Sequence, residues 1–481
     1  MTAGSEIGQW QSPQHGTVSM DMLEQGIDQI STSHMPLSLL YGNKKVKFRS
    51  ATPWGLPASP RRRLPLAACQ YPSGCVHWRV SHEHLTTLSM RICSMITKFS
   101  SLFAGHIDLD DMGQHATPVN ERRYSNERLA TVFDKTEAMA RLMDELGYDS
   151  LWLAEHHFQH EGYECIPNLL MLYVHLAHVT QRIRFGCGFN ITPMWHPLRL
   201  AEDFAVADIL TGGRVIFGVG RGYHTREVET FGSPMLDGEA NRELFEEQVE
   251  IIFKAFNEAS FSHQGTHYTL PPAVPYRGYE LQELTLVPRP LHRPVECWQP
   301  IVSAGPRGLD FMIKHRIKGL VGGGSATMAE RPIKAYQEAA QRAGIDLQLG
   351  EDLIIGVTFH LAETRDKAIK EARPFYEEYV KMFGPLGFVR GLSDEQIVAL
   401  GRRGQWAAAR LPTLEDMIEA GSWYCGPPEG CVAYFQELQE KYPGLTRVTA
   451  NSSMGTPQAI MLEQLSWFAK EVMPAFSEAH V

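Results

Sequence analysis

A short apolar run, Leu151 to Ala154, stops at Glu155, and two adjacent histidines, His156 and His157, follow at once. A carboxylate beside imidazoles, whose charge changes readily near neutral pH, is a residue set for moving protons. Neighbours leaving a strand point in different directions, so two separate histidine roles are expected rather than one joint role, with histidines that only anchor a loop to Glu155 as the plain alternative. Three other segments carry residues suited to holding a ligand. FGVGRGYH (217–224) interleaves Gly218, Gly220 and Gly222 with Val219 and Arg221. Its glycines let a planar group or a phosphate approach the backbone, and Arg221 offers a fixed guanidinium fork. SAGPRG (303–308) and GGGSA (322–326) are Gly-rich turns, each ahead of a helix, where free N–H groups and the helix dipole favour an anion. GFNITPMWHP (188–197) adds Phe189 and Trp195 as ring surfaces and Asn190 as donor and acceptor. Phe189 fits a core position equally well, by its alternation with Cys187, and a Gly-rich turn that binds nothing is the plain alternative for FGVGRGYH. A dinucleotide fingerprint does not fit, since the sixth position of GxGxxG is Tyr223 and the motif does not open the fold.

The elements that position these residues alternate between strand and helix. Lys98 to Ile107 reads as strand one. Val132, Met139, Met143 and Leu146 mark a helix closing at Gly147, and Ser150 to Ala154 is strand two. A helix over 169–179 leads to strand three, with Ile183, Phe185, Cys187 and Phe189 alternating. Pro197 then opens a helix with Ala201, Phe204, Ala205 and Ile209 on its buried stripe. Strand four spans 214–219, and Leu244, Phe245, Val249, Ile252 and Phe256 mark the next helix. Strands five to eight fall at 298–304, 319–321, 352–361 and 447–450, and a helix over 459–475 closes the chain. Eight strands with intervening helices predict a (β/α)8 barrel with insertions, and such barrels carry their sites at the carboxyl ends of the strands. The Pro/Tyr-rich stretch 261–295 reads as hairpin and loop, and the long segment 375–424 as mainly helical cover over the mouth.

The 481 residues, 43% hydrophobic, suffice for one large core, and the net charge of −10 excludes the basic field that nucleic acid or an anionic membrane selects. Eight cysteines, at 69, 75, 93, 165, 187, 297, 425 and 431, form no CxxC pair and fit reduced thiols better than disulfides or zinc. No run approaches the ~18 apolar residues of a membrane span, and no basic start with an apolar core opens the chain, so a cytoplasmic location is expected. Residues 1–94 stand apart. They are rich in Ser, Pro, His and Gln, without sustained periodicity, and carry 9 Lys+Arg against 5 Asp+Glu, where 95–481 carry 36 against 50. A poorly structured or extraneous extension is expected there, followed by one barrel domain over 95–481.

LGYDSLWLAEHHF (146–158), HPLRLAEDFAVADILTGGRVIFGVGRG (196–222), SAGPRGLDF (303–311) and LSWFAKEVMPAF (465–476), in that order, resemble the bacterial luciferase-like family of flavin-dependent monooxygenases. The resemblance covers about 97–476. It implies a barrel that binds reduced FMN over the strand ends, reacts it with O2 to a C4a-peroxide and oxygenates a small organic substrate. A separate NAD(P)H:flavin reductase and a homodimer go with it. By matching positions His156 is implied as the active-site histidine, Glu155 as the carboxylate beneath the ring, and Gly188 and Phe189 as a tight, sometimes cis, peptide behind it. Arg221 and Tyr223 match contacts to the phosphate or ribityl chain, with Ala304, Gly305 and Gly322 completing the floor. Asn190, Ser303, Arg307 and Gly323 join them as cofactor-binding candidates. This chain departs from luciferases after strand five, where Gly305, Pro306 and Leu309 replace acidic and hydroxyl residues, and Gly220 replaces a reactive cysteine. Light emission with a long-chain aldehyde is therefore not expected. Hydride transfer with the deazaflavin F420 on the same barrel and a non-catalytic flavin-binding protein are the alternatives. No metal is expected, because strands four to six end in glycines where ligands would be needed. The organic substrate is not legible.

Overall fold

The computed structural model describes residues 96–302, 305–322, 329–389, 393–400 and 410–477. The expected extension over 1–94, its boundary with the barrel, and the turn residues Ser303, Ala304 and Gly323 lie outside them. Eight strands close into a parallel barrel: β1 Lys98–Phe103, β2 Ser150–Leu153, β3 Arg184–Cys187, β4 Val215–Gly220, β5 Cys297–Pro300, β6 Lys318–Val321, β7 Leu353–Leu361 and β8 Arg447–Asn451. Each pairs with its successor. β8 returns to β1 (Lys98 opposite Arg447), and β4 meets β5 through Phe217 opposite Cys297, which closes the ring. β2 and β4 are buried at every position, as strands covered on both faces must be, which is why their residues form apolar runs without alternation.

Inside the ring Trp152, Phe189, Ile216, Trp298, Leu320 and Ile354 form one packed layer, with the two tryptophans edge to face at 5.8 Å. Gly186 makes room for it: a Cβ there would lie 2.2 Å from the Trp152 ring. Outside, Phe99 of β1 packs on Phe435, Phe468 and Phe476. The helices start and stop where side chains satisfy their ends. Ser125 caps α1 (Asn126–Leu146), which closes at Gly147 with φ 81°; Asn168 caps α2 (Leu169–His178); Pro197 opens α3 (Pro197–Leu210). A four-residue α4 (Thr225–Val228) follows β4, and Asp237 caps α5 (Gly238–Asn257). Next come α6 (Pro306–Lys314) and α7 (Glu330–Arg342).

Some expectations change in detail. β1 ends at Phe103, because Gly105 turns the chain at φ 94°. Strand three stops at Cys187; a cis Gly188–Phe189 peptide follows, and the two-residue strand Asn190–Ile191 pairs with Val219 and Gly220. The insertion at 261–295 forms two short hairpins. The segment 375–424 is partly corrected. Helices α8 (Arg365–Phe383), α9 (Asp394–Leu400) and α10 (Leu414–Glu419) supply cover, but its end belongs to a strand, Trp423–Gly426, paired parallel with the last four residues of β7. Ala368, Ala372, Tyr376, Val380, Leu414 and Trp423 give this addition its own small core. Helices α11 (Pro428–Lys441) and α12 (Gln458–Glu471) complete the outer ring. The described cysteines, 165, 187, 297, 425 and 431, are free thiols, and among the described residues no helix is long and apolar enough to cross a membrane.

Candidate active site

β2 delivers its polar residues at the carboxyl end of the barrel, and they diverge as strand geometry requires. The Glu155 carboxylate accepts from Ile191 N (2.9 Å), from Trp195 Nε1 (2.9 Å) and from His157 Nε2 (3.1 Å). It is a strut between β2 and the segment after β3, and His157 is its partner. Expected as a catalytic group, Glu155 has its oxygens committed to structure.

His156 points the other way. It is 3% exposed, with Nδ1 3.3 and 3.2 Å from the two carboxylate oxygens of Glu227 and Nε2 2.9 Å from the Tyr223 hydroxyl. That hydroxyl donates to Glu164 Oε1 at 2.7 Å, and Glu164 Oε2 lies 2.9 Å from His224 Nε2. Glu227 also accepts from His157 N and from Gln159 Nε2, both at 3.0 Å. Burial disfavours a charged His156, but Glu164, Glu227 and Glu155 outweigh it and raise its pKa. Burial works against ionised Glu227 in the same way, and hydrogen bonding and attraction from His156 overcome it, holding the acid at about 2. Tyr223, buried beside Glu164, is held well above the usual phenol range. Ligating atoms of His156, His224 and Glu227 lie within 4.8 Å of one another, the one such grouping among the described residues. Their nitrogens and oxygens are already taken up by the hydrogen bonds above, so the group reads as a proton network.

The remaining expected residues separate into two sets. Phe189 belongs to the inner apolar layer, and Asn190 donates its amide to Gly218 O at 2.8 Å, so both shape the turn behind the mouth. Arg221 leaves β4 and donates to Asn241 Oδ1 (3.2 Å) and Gly238 O (3.3 Å); burial and then the nearby Arg242 lower its pKa. Among the described residues no carboxylate pairs with Arg221, and Arg242 reaches only Glu246 at 3.8 Å. Gly305 is the N-cap residue of α6 with no side-chain cap, and at Gly322, after the end of β6, no atom of the described residues lies within 4 Å of where a Cβ would sit. Arg307, expected at the same anion, is half-exposed and donates to Glu246 and Glu239 on α5.

Glu164, Glu227, His224 and Arg242 were not singled out from sequence. Their signal is faint: two acids near strand ends and a basic residue on α5. The segment 375–424 also braces the mouth. Glu378 of α8 is fully buried, accepts from Arg122 at 2.6 Å and from Tyr163, and pairs with Lys381 at 3.0 Å. Phe388 places its ring 4.8 Å from that of Tyr223, as cover over the mouth requires.

Residues 111–443 match the luciferase-like monooxygenase family. The alkanal monooxygenase alpha chain of Photorhabdus laumondii is 32% identical over 366 residues, which cover 72% of this chain and 94% of that one. The oxygenase component of the flavin-dependent trigonelline monooxygenase of Acinetobacter baylyi is 24% identical over 291 residues, 58% of this chain and 75% of that one. An uncharacterised Sinorhizobium fredii protein, 30% identical over 153 residues, is spanned over only 42% of its length, and those residues are 32% of this chain. Two solved structures share the fold. The oxygenating constituent of 3,6-diketocamphane monooxygenase from Pseudomonas putida, in complex with FMN, superposes at a TM-score of 0.56 with 19% identity, covering 79% of this chain and 98% of that one. The F420-dependent tetrahydromethanopterin reductase of Methanopyrus kandleri superposes at 0.54 with 19% identity, covering 80% and 100%. By its barrel, its strand-end residues and this match over most of its length, the chain belongs to the luciferase-like monooxygenase family.

Proposed function

We propose that this protein is the oxygenase of a two-component monooxygenase that takes reduced FMN and O2 and oxygenates a small organic molecule. The observation that carries the reading is the unbalanced cation pair Arg221 and Arg242, set at the mouth that also holds His156. Two guanidinium groups without a full complement of carboxylates fit a phosphate, which bidentate Arg recognises well. Gly322, with no described neighbour where a Cβ would sit, and the uncapped start of α6 extend that fit. Arg221 and Arg242 hold the phosphate, and the Gly188–Phe189 turn, backed by the inner apolar layer, offers a flat wall. When bound, the reduced flavin supplies the electrons and the activation of O2. His156 holds a proton at the mouth, and Phe388 with Tyr223 helps to keep water out. A cavity of about 400 Å³ beside His156 and Glu164, walled by Leu129, Phe158, Cys165 and Pro167, gives room for the organic substrate. A relative named as an oxygenase component supports a separate flavin reductase as partner.

The test is an anaerobic titration with reduced FMN, reduced riboflavin and reduced F420, followed by admission of air. Reduced FMN should bind. Arg242→Ala should weaken it by about 10- to 100-fold, the value of one charge-assisted hydrogen bond, while riboflavin binding stays unchanged. Binding of F420 in preference, with substrate reduction under anaerobic conditions, would establish hydride transfer instead. FMN binding with no substrate-dependent O2 uptake in the presence of a reductase would establish a non-catalytic binder.

A further inference from the structure

The hydrogen bonds at His156 fix more than its position. Glu227 faces three donors: Nδ1 of His156 at 3.2 Å, and His157 N and Gln159 Nε2 at 3.0 Å each, and only an ionised carboxylate accepts from them all while donating nothing. Nδ1 therefore carries a hydrogen. On the opposite side Nε2 lies 2.9 Å from the Tyr223 oxygen. The single hydroxyl hydrogen of Tyr223 is directed to Glu164 Oε1 at 2.7 Å, and the same carboxylate oxygen is 3.3 Å from Nε2. Nε2 thus meets two acceptors and carries a hydrogen as well.

We infer that His156 rests as a doubly protonated imidazolium, and that Glu164, with Tyr223 as its bridge, is the positioning residue that holds the Nε2 proton. The groups facing the ring agree. Glu155 lies on its own segment, Glu164 on the loop to α2, Tyr223 and His224 on the loop after β4, and Glu227 on α4, while Arg226 is turned away to Glu161 and Gln159. Two carboxylates bracket one ring, and a third adds its field. The site therefore starts with a proton to give. On donation the Nε2–H bond breaks, the proton passes to an acceptor atom of a bound ligand, and a neutral imidazole remains, still donating through Nδ1 to Glu227. This deepens the reading of His156 given above and rests on it for its catalytic meaning, whereas the charge state is a property of the protein without flavin.

The experiment is NMR of the full chain carrying 13C at histidine Cε1, without flavin, between pH 5 and 9, with the His156 signal assigned by its loss in His156→Gln. His156 should be cationic at pH 7, with its titration midpoint above that of free histidine. Glu164→Gln should lower the midpoint by at least one pH unit, a tenfold change in acidity. Tyr223→Phe should lower it by less, since Glu164 stays within reach of Nε2, and this variant buries no lone charge should Glu164→Gln fold poorly. A neutral His156 at pH 7, or a midpoint that neither variant moves, overturns the inference. Turnover with reduced FMN is measured separately on His156→Gln, so a failure there strikes the functional reading and leaves the charge assignment standing.

Discussion

Replacing Glu227 with Gln tests the energetics of the network, because the change removes a charge while keeping the shape. The carboxyl is held at about 2 against an ordinary 4.5, and this shift of roughly 2.5 units corresponds to about 3 kcal/mol. Glu227 is 1% exposed, so solvent screening takes little from that figure. Gln retains an acceptor for His157 N and Gln159 Nε2, so the loss is chiefly that of the attraction to His156. A carboxylate with a depressed pKa adds stability above 4.5 that is lost as pH falls toward 2. A histidine with a raised pKa adds stability below 6.5 that is lost as pH rises through its folded-state value. The difference in unfolding free energy between wild type and Glu227→Gln should therefore peak at about pH 5 to 6, near 3 kcal/mol, and decline on both sides. Urea unfolding followed by far-UV circular dichroism, run on both proteins from pH 3.5 to 9, measures it, and other titrating groups cancel in the difference. A gap that is flat with pH, or below about 0.5 kcal/mol at pH 5.5, would refute the coupling of Glu227 to a charged His156.

Two further outcomes test the scaffold. Gly186→Ala should destabilise by about 1–3 kcal/mol or more, because its methyl meets the Trp152 ring at 2.2 Å, and adding Trp152→Leu should restore part of the loss; urea midpoints for the single and double variants decide it. Glu378→Gln leaves Arg122 and Lys381 buried without their carboxylate, which should cost about 3–5 kcal/mol and remove hydrogen-exchange protection from α8 and from residues 110–122 before the barrel strands; uniform loss across the chain would speak against a local brace.

The barrel was legible because its strands are short apolar runs bounded by turns, and because parallel strands covered on both faces have no polar side to blur them. His156 was legible for the same reason, as a charge-capable residue at the point where such a run stops. Its partners were not. Glu227 lies 71 residues away on a four-residue helix too short to show a period, and Glu164 sits in a loop where an acid reads as solvated. Arg242 is one of several charged residues on α5, and only the fold aims it at Arg221. Arg307 misled in the opposite direction. A basic residue in a Gly-rich turn reads as an anion ligand, yet long side chains find nearby acids, and α5 supplies Glu239 and Glu246. The strand Trp423–Gly426 escaped because four residues with one apolar neighbour pattern cannot outweigh the helical signals on both sides.

Glu155 and His156 show why adjacency in sequence says little about shared chemistry. Both leave β2 at the same level, but one residue of rotation sends the carboxylate sideways and the imidazole toward the loops. Glu155 has three donors on its two oxygens from Ile191, Trp195 and His157, and neutralising it would release the backbone segment that sets the Gly188–Phe189 turn. His156 has acceptors at both nitrogens, and losing one proton costs it one hydrogen bond without moving any backbone. A group that can change charge without dragging the fold is the one suited to proton transfer. That asymmetry, rather than proximity to the strand end, supports the proton role proposed for His156 and leaves Glu155 as a strut between β2 and the segment after β3.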